Sequence, residues 1–181
     1  MPILKRNTRN PWLWVPSLYL TEGLPYIMVI SISTVMYLDL QVSNTEIAFY
    51  TSWLYLPWVI KPLWSPVVDM FSTKRRWVLL MQLLIAIGAG GIAFSLTASH
   101  FFFYSLLFFW LLAFCSATHD IAADGFYMFG LNSTQQAYFV GIRTTFYRLA
   151  TIVGVGSIFL FSDMLQKYWS PAQSWRTIYL C

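Results

Sequence analysis

The chain has 181 residues, of which 58% are hydrophobic, 19% aromatic and only 10% charged, and its mean hydropathy is +0.60. A water-soluble domain of this size has too little interior to hide so much apolar surface, so the composition marks a membrane protein. The net charge of +4 does not mark a nucleic-acid binder, because the basic residues fall in small clusters between apolar runs rather than along one face.

A membrane-spanning helix needs about 20 mostly apolar residues. Five segments meet that length, about 12–38, 47–69, 77–97, 101–129 and 137–161, and a truncated sixth begins at about 175. The first apolar run, Trp12 to Leu38, is longer than a signal-peptide core of about 7–15 residues and is read as a retained helix. Residues 39–46 carry Asp39 and Glu46, and residues 70–76 carry Lys74, Arg75 and Arg76. Positive charge selects the cytoplasmic side. Lys5, Arg6 and Arg9 before the first helix and the basic triplet after the second therefore both belong inside, as two antiparallel crossings require. Residues 162–176 read as an outer-interface stretch, and the chain stops a few residues into the sixth helix, as a fragment does.

No linker, low-complexity tract or soluble domain interrupts this pattern, so residues 1–181 read as one all-α membrane unit. A weak internal repeat is present. Glu22-Gly23 on the first helix parallels Asp124-Gly125 on the fourth, and Lys61 on the second parallels Arg143 and Arg148 on the fifth. Inverted repeats of helix triplets are common in secondary transporters.

Counting 1.5 Å per residue from the cytoplasmic ends places Glu22, Lys61, Asp120 and Arg148 at a depth of roughly 12–16 Å, near the bilayer midplane. The fourth and fifth helices form a hairpin about Ser133 and Thr134, which matches Asp120 to Arg148 and Asp124 to Arg143 in depth. Asp120 and Asp124, four apart, share a helix face. Arg143 and Arg148 point about 140° apart, so both cannot face the fourth helix.

A charge at the centre of a membrane helix costs about 2.5–3.5 kcal/mol and calls for a partner or a water-filled path. One reading is a set of buried ion pairs that fix helix register; the other is an ion-coupled substrate path. On the second, Glu22, Asp120 and Asp124 carry protons, while Lys61, Arg143 and Arg148 hold substrate carboxylates or tune those acids. His119 beside Asp120 is either a proton relay or a hydrogen-bonded structural residue.

Prolines 57, 62 and 66 in the second helix, with Pro16 and Pro25 in the first, break backbone hydrogen bonds and permit bends. Trp12, Trp14, Trp77, Trp169 and Trp175 fall at interfaces and read as belt residues. Tyr19, Tyr26, Trp53, Tyr55, Trp58 and Tyr147 lie deeper, suited to stacking on a sugar ring or to ordinary packing. Two aspartates four apart, with Met128-Phe129 after them, do not fit the metal site of membrane phosphatidyltransferases, whose paired aspartates are three apart. Cys115 and Cys181 support neither a disulfide framework nor a metal site, so no enzyme chemistry, metal or cofactor is expected.

Ser65-Pro66-Val67-Val68-Asp69 followed by Lys74-Arg75-Arg76 resembles the signature between the second and third helices of the major facilitator superfamily. Ser65 stands for its first Gly, Met70 for its first Arg, and one extra residue precedes the basic cluster. Three patches resemble a narrower group, the AmpG-like muropeptide permeases and their acetyl-CoA transporter relatives. They are Leu56-Pro57 with Lys61-Pro62-Leu63-Trp64-Ser65-Pro66, His119-Asp120-Ile121-Ala122-Ala123-Asp124-Gly125, and Gly141-Ile142-Arg143 with Tyr147-Arg148-Leu149. His119 departs from the Gln usual there.

The resemblance implies the amino-terminal bundle of a two-bundle transporter that needs a carboxy-terminal bundle as partner. It also implies proton-driven import of N-acetylglucosamine-anhydro-N-acetylmuramyl peptides across a bacterial inner membrane, with the amino terminus cytoplasmic. Asp69, Lys74, Arg75 and Arg76 correspond to the gating motif, and Trp58 and Tyr147 join Lys61 and the arginines as substrate candidates. A carrier for another anionic solute, such as an acyl-CoA or sugar phosphate, and a non-transporting receptor or scaffold remain the alternatives.

Overall fold

Helix starts and stops follow local chemistry. In the computed structural model, which describes residues 10–180, a first helix α1 runs Pro11–Asp39. Pro25 inside it withholds one backbone N–H, and the helix widens to a π-turn at Met28–Ile32 before resuming at Ser33. Ser43 caps the next helix, α2 (Asn44–Trp53), by accepting from the Glu46 amide at 3.3 Å. Thr73 caps α5 (Lys74–Ser95) by accepting from the Arg76 amide. Asn132 and Gln135 form a reciprocal capping box at the start of α7 (Ser133–Gln166), immediately after α6 (Phe101–Gly130).

The prolines of the second apolar run produce more than bends. Residues 44–70 are not one helix: α2 ends at Trp53, α3 spans Leu56–Ile60, a 3₁₀ turn covers Lys61–Leu63, and α4 spans Ser65–Met70. Pro57, Pro62 and Pro66 each stand in the first two positions of the piece that follows the break, where a missing N–H costs nothing. The expectation of one bent helix over 47–69 is corrected accordingly. Among the described residues, four helices, α1, α5, α6 and α7, are long and apolar enough to cross a membrane.

The last described helix, α8 (Pro171–Leu180), starts four residues before the expected 175. Trp175, expected at an interface, is instead fully buried and donates to Asp39 Oδ2 at 2.9 Å, which also accepts from Gln166 at 2.7 Å. A polar indole N–H needs a partner when buried, and the end of α1 supplies it. Lys5, Arg6, Arg9 and Cys181 lie outside the described residues.

Helix α6 is the axis of the bundle. Helix α5 packs along it, with Gly91 admitting the Phe108 ring at a distance no Cβ allows. Helix α1 lies between α6 and α7, and α8 rests on α5 and α7. Where α1 crosses α7, a Cβ at Gly23 would lie 3.0 Å from both the Tyr147 carbonyl oxygen and Ala150 Cβ, and one at Gly154 would lie 2.6 Å from Ile27 Cδ1. Small residues at this crossing let two membrane helices approach, as van der Waals packing in lipid requires. The main core gathers Ile32, Met36, Tyr37, Ile92, Phe109 and Leu112 towards the Asp39 end. A smaller cluster of Val15, Tyr19, Tyr127, Leu131 and Phe139 closes the opposite end.

Candidate functional site

Between the two clusters the apolar packing is interrupted by a cavity of about 520 Å³ bounded by α1, the broken segment, α6 and α7. Its polar wall carries Glu22, Lys61, Asp120, Asp124 and Arg143, and its aromatic wall carries Tyr26, Tyr55, Trp58 and Tyr147. Trp58 stands edge-on to Tyr26 with centroids 5.2 Å apart and stacks with Tyr55 at 6.2 Å. Tyr26 in turn meets Tyr147 at 6.3 Å.

Two ion pairs lie in the polar wall, and they differ in support. Asp124 Oδ1 accepts from Arg143 at 2.7 Å and from the Tyr19 hydroxyl at 2.8 Å, and Arg143 also donates to the Tyr19 oxygen at 2.9 Å. The guanidinium further sits 5.3 Å from the Tyr19 ring centroid and 5.0 Å from that of Tyr127, a cation–π arrangement. Both charges of this pair stand on unbroken helices. The second pair joins Lys61 to Asp120 by one contact, Nζ to Oδ2, and Lys61 stands on the 3₁₀ turn of the broken segment. The only other side-chain hydrogen bond from residues 56–70 to α6, among the described residues, is Trp64 Nε1 to Thr118 at 3.3 Å.

Glu22 is 7% exposed, faces Asp120, and its Oε2 has no hydrogen-bond partner among the described residues. Burying a carboxyl oxygen without a partner is costly, so its place here calls for a function.

The depth matching brought Asp124 and Arg143 together correctly, but Asp120 meets Lys61 rather than Arg148. Arg148 is exposed and does not line the cavity, because five residues of helix turn it away from Arg143. His119 is also outside the cavity. It is fully buried against α5, with Nε2 3.4 Å from the Gln82 amide nitrogen and Nδ1 without a partner among the described residues.

At the Asp69 end, Lys74 Nζ bonds Asp69 Oδ1, while Arg75 and Arg76 are exposed. The Lys74 stem lies across α6 where a Cβ on Gly125 would come 2.6 Å from Lys74 Cε. The Asp69–Lys74 pair is thereby seated one residue from Asp124. A groove of about 690 Å³ runs from Asp69 past Pro66, Ser65 and Gly125 to Lys61 and Asp124, which it shares with the cavity.

Tyr19, Gln82 and Gly125 are the residues whose part the sequence reading missed. Gly125 carried a signal through the Glu22-Gly23 and Asp124-Gly125 parallel, and Tyr19 through its depth, though its hydrogen bonds to Asp124 and Arg143 were not foreseen. Among the described residues no group of three His, Cys, Asp or Glu side chains has metal-binding geometry.

The arrangement resembles known sequences as well as known chemistry. Residues 22–165, which include every cavity residue but Tyr19, match the model of the BT1 family. An uncharacterized protein of Schizosaccharomyces pombe is 30% identical over 84% of this chain and 32% of its own length. The anhydromuropeptide permease of Escherichia coli K12 is 28% identical over 59% of this chain and 22% of its own length. The permease of Escherichia coli O157:H7 matches to the same extent. No solved structure matches. The chain thus spans between a fifth and a third of the length of these curated relatives. By its family match and its long apolar helices, the chain belongs to the BT1 family of membrane proteins.

Proposed function

We propose that this chain is the amino-terminal bundle of a major facilitator-type secondary transporter that imports muropeptides with protons. In this reading the broken segment 44–70 is a fifth span and α8 the start of a sixth. The amino terminus lies in the cytoplasm of a bacterial cell whose inner membrane holds the protein. The observation that carries the reading is the cavity itself: three acids, two cations and an aromatic wall set in the middle of helices otherwise built for lipid. The sequence relation to a protein named anhydromuropeptide permease supports the substrate class. A muropeptide has sugar rings for Tyr26, Trp58 and Tyr147 and carboxylates for Lys61 and Arg143. Glu22 and Asp120 are the proton carriers in this scheme, Asp124 is a further candidate tied to Arg143, and His119, turned towards Gln82, contributes only indirectly. Arg148 joins the substrate site through the carboxy-terminal bundle, and Asp69 with Lys74, Arg75 and Arg76 gates the Asp69 end.

The test is uptake of radiolabelled N-acetylglucosaminyl-anhydro-N-acetylmuramyl tripeptide into proteoliposomes holding the full-length protein. Accumulation driven by an inward proton gradient and abolished by a protonophore is expected. Equal uptake by empty vesicles removes the reading. A second reading is favoured by the yeast relative, which matches more of the chain than the bacterial permease does. It is a carrier for an anionic solute found in both kinds of cell, such as an acyl-CoA or a sugar phosphate. Competition by those solutes, but not by the muropeptide, distinguishes it.

A further inference from the structure

The cavity lining holds one more acid than cation: Glu22, Asp120 and Asp124 against Lys61 and Arg143. Both cations are already engaged, Lys61 by Asp120 and Arg143 by Asp124. An anionic solute entering this cavity therefore meets no free cation among its described lining residues, and binding to Lys61 or Arg143 requires one pair to open. Arg143 cannot be the one released cheaply, since Asp124, the Tyr19 hydroxyl and two aromatic faces hold it together. Lys61 is held by a single carboxylate, and about a third of its side chain is open to the cavity (35% exposed). Beside that carboxylate lies the buried Glu22, whose Oε2 has no hydrogen-bond partner among the described residues.

We infer that proton and solute exchange places on this one pair: the proton binds the Asp120 carboxylate, and Lys61, so released, takes an anionic group of the solute. The inference rests on the transport reading above and adds the order of events. The step balances simply. A proton from water, reaching the site along the Asp69 groove, becomes the acid hydrogen of Asp120; Lys61 keeps its three protons, and the carboxylate or phosphate of the solute replaces Asp120 as its counter-ion. The groups that face this exchange are Glu22 and Tyr26 from α1, Tyr55 from the link before α3, Asp124 from α6, and Arg143 and Tyr147 from α7. At this step Arg143 acts as a positioning residue, fixing Asp124 so that it does not capture Lys61 in turn.

Linkage supplies a test that needs no knowledge of the natural solute. If an anion binds Lys61 only when Asp120 is protonated, the anion must also favour protonation of Asp120 by the same factor. The probe is acetate. Purified full-length protein carrying ¹³C-labelled aspartate is titrated by infrared spectroscopy, with and without acetate at constant ionic strength. One aspartic-acid carbonyl band, absent in Asp120→Asn, is expected to titrate at higher pH when acetate is present. The displacement is about one pH unit for each tenfold by which acetate prefers the protonated site. Lys61→Gln abolishes the displacement.

If Lys61→Gln does not fold, acetate affinity read from Trp58 fluorescence decides. It falls about tenfold per pH unit above the midpoint in the wild type and becomes independent of pH in Asp120→Asn. An acetate-independent titration in the wild type overturns the inference. So does a displacement that survives in Lys61→Gln. Loss of muropeptide uptake alongside an intact acetate effect removes the proposed substrate and leaves the exchange standing. Proton-driven uptake without the acetate effect does the reverse.

Discussion

The two ion pairs of the cavity stand on different kinds of backbone. Asp124 and Arg143 project from α6 and α7, unbroken helices joined by a two-residue connection with a full capping box, and their charges share Tyr19 and two aromatic faces. Lys61 projects from a 3₁₀ turn between two short proline-started helices and, among the described residues, bonds Asp120 alone. One pair is therefore part of the frame, and the other is a contact that a local change can make or release. Interrupted backbone at membrane depth is tolerated only where it lines a cavity or is covered by protein, and Lys61 lines the cavity.

The contrast is broken most severely through the frame. Asp124→Asn leaves Arg143 without its counter-ion and is expected to lower stability in detergent by up to about 2.5–3.5 kcal/mol, the order of one uncompensated charge in a membrane helix. Thermal unfolding of the purified full-length protein checks this, and a melting point equal to the wild type removes Asp124 from the frame. Gly23→Leu comes next. Its side chain meets a backbone carbonyl and a Cβ on α7, neither of which can swing aside, so about 1–3 kcal/mol of stability is lost and Tyr147 is displaced from the aromatic wall.

Lys61→Gln should cost less stability than Asp124→Asn, because it removes one contact from a short turn rather than a group bonded to both Arg143 and Tyr19, yet it should reduce proton-driven uptake about tenfold or more. A larger fall in melting point than that of Asp124→Asn contradicts the distinction between the pairs. Arg148→Gln is expected to change the melting point by less than about 0.5 kcal/mol, as an exposed side chain outside both pairs. Lost uptake at an unchanged melting point then places Arg148 against the other bundle, whereas a fall in both makes it structural.

The same contrast decides what could be read from the sequence. The ends of α1, α5 and α6 were legible to within about three residues, since an apolar run between polar caps has only one way to be a helix. Asp124 and Arg143 were legible because a hairpin of two unbroken helices conserves depth about its turn. Lys61 and Asp120 were placed at one depth, but their contact was not foreseen. Helical counting fails across Pro57 and Pro62, and hydropathy is the same whether the segment is whole or broken.

Depth alone also says nothing of direction around a helix. It put Arg148 level with Asp120 although α7 turns the side chain outward, and it put His119 beside the charge layer although α6 turns the ring to Gln82. The parallel of Glu22-Gly23 with Asp124-Gly125 has a physical content: each acid precedes a glycine at a close approach, Gly23 to α7 and Gly125 to the Lys74 stem. Trp175 was misplaced because composition cannot show that Asp39, distant in sequence, would satisfy its indole.

The most direct test of the account compares two neighbouring neutralisations, Asp120→Asn and Asp124→Asn, in proteoliposomes of the full-length protein. Exchange of labelled for unlabelled anhydromuropeptide across the membrane is measured beside accumulation driven by a proton gradient. The account predicts that Asp120→Asn keeps exchange and loses accumulation, while Asp124→Asn loses both. Accumulation that persists in Asp120→Asn, or identical behaviour of the two variants, would contradict it.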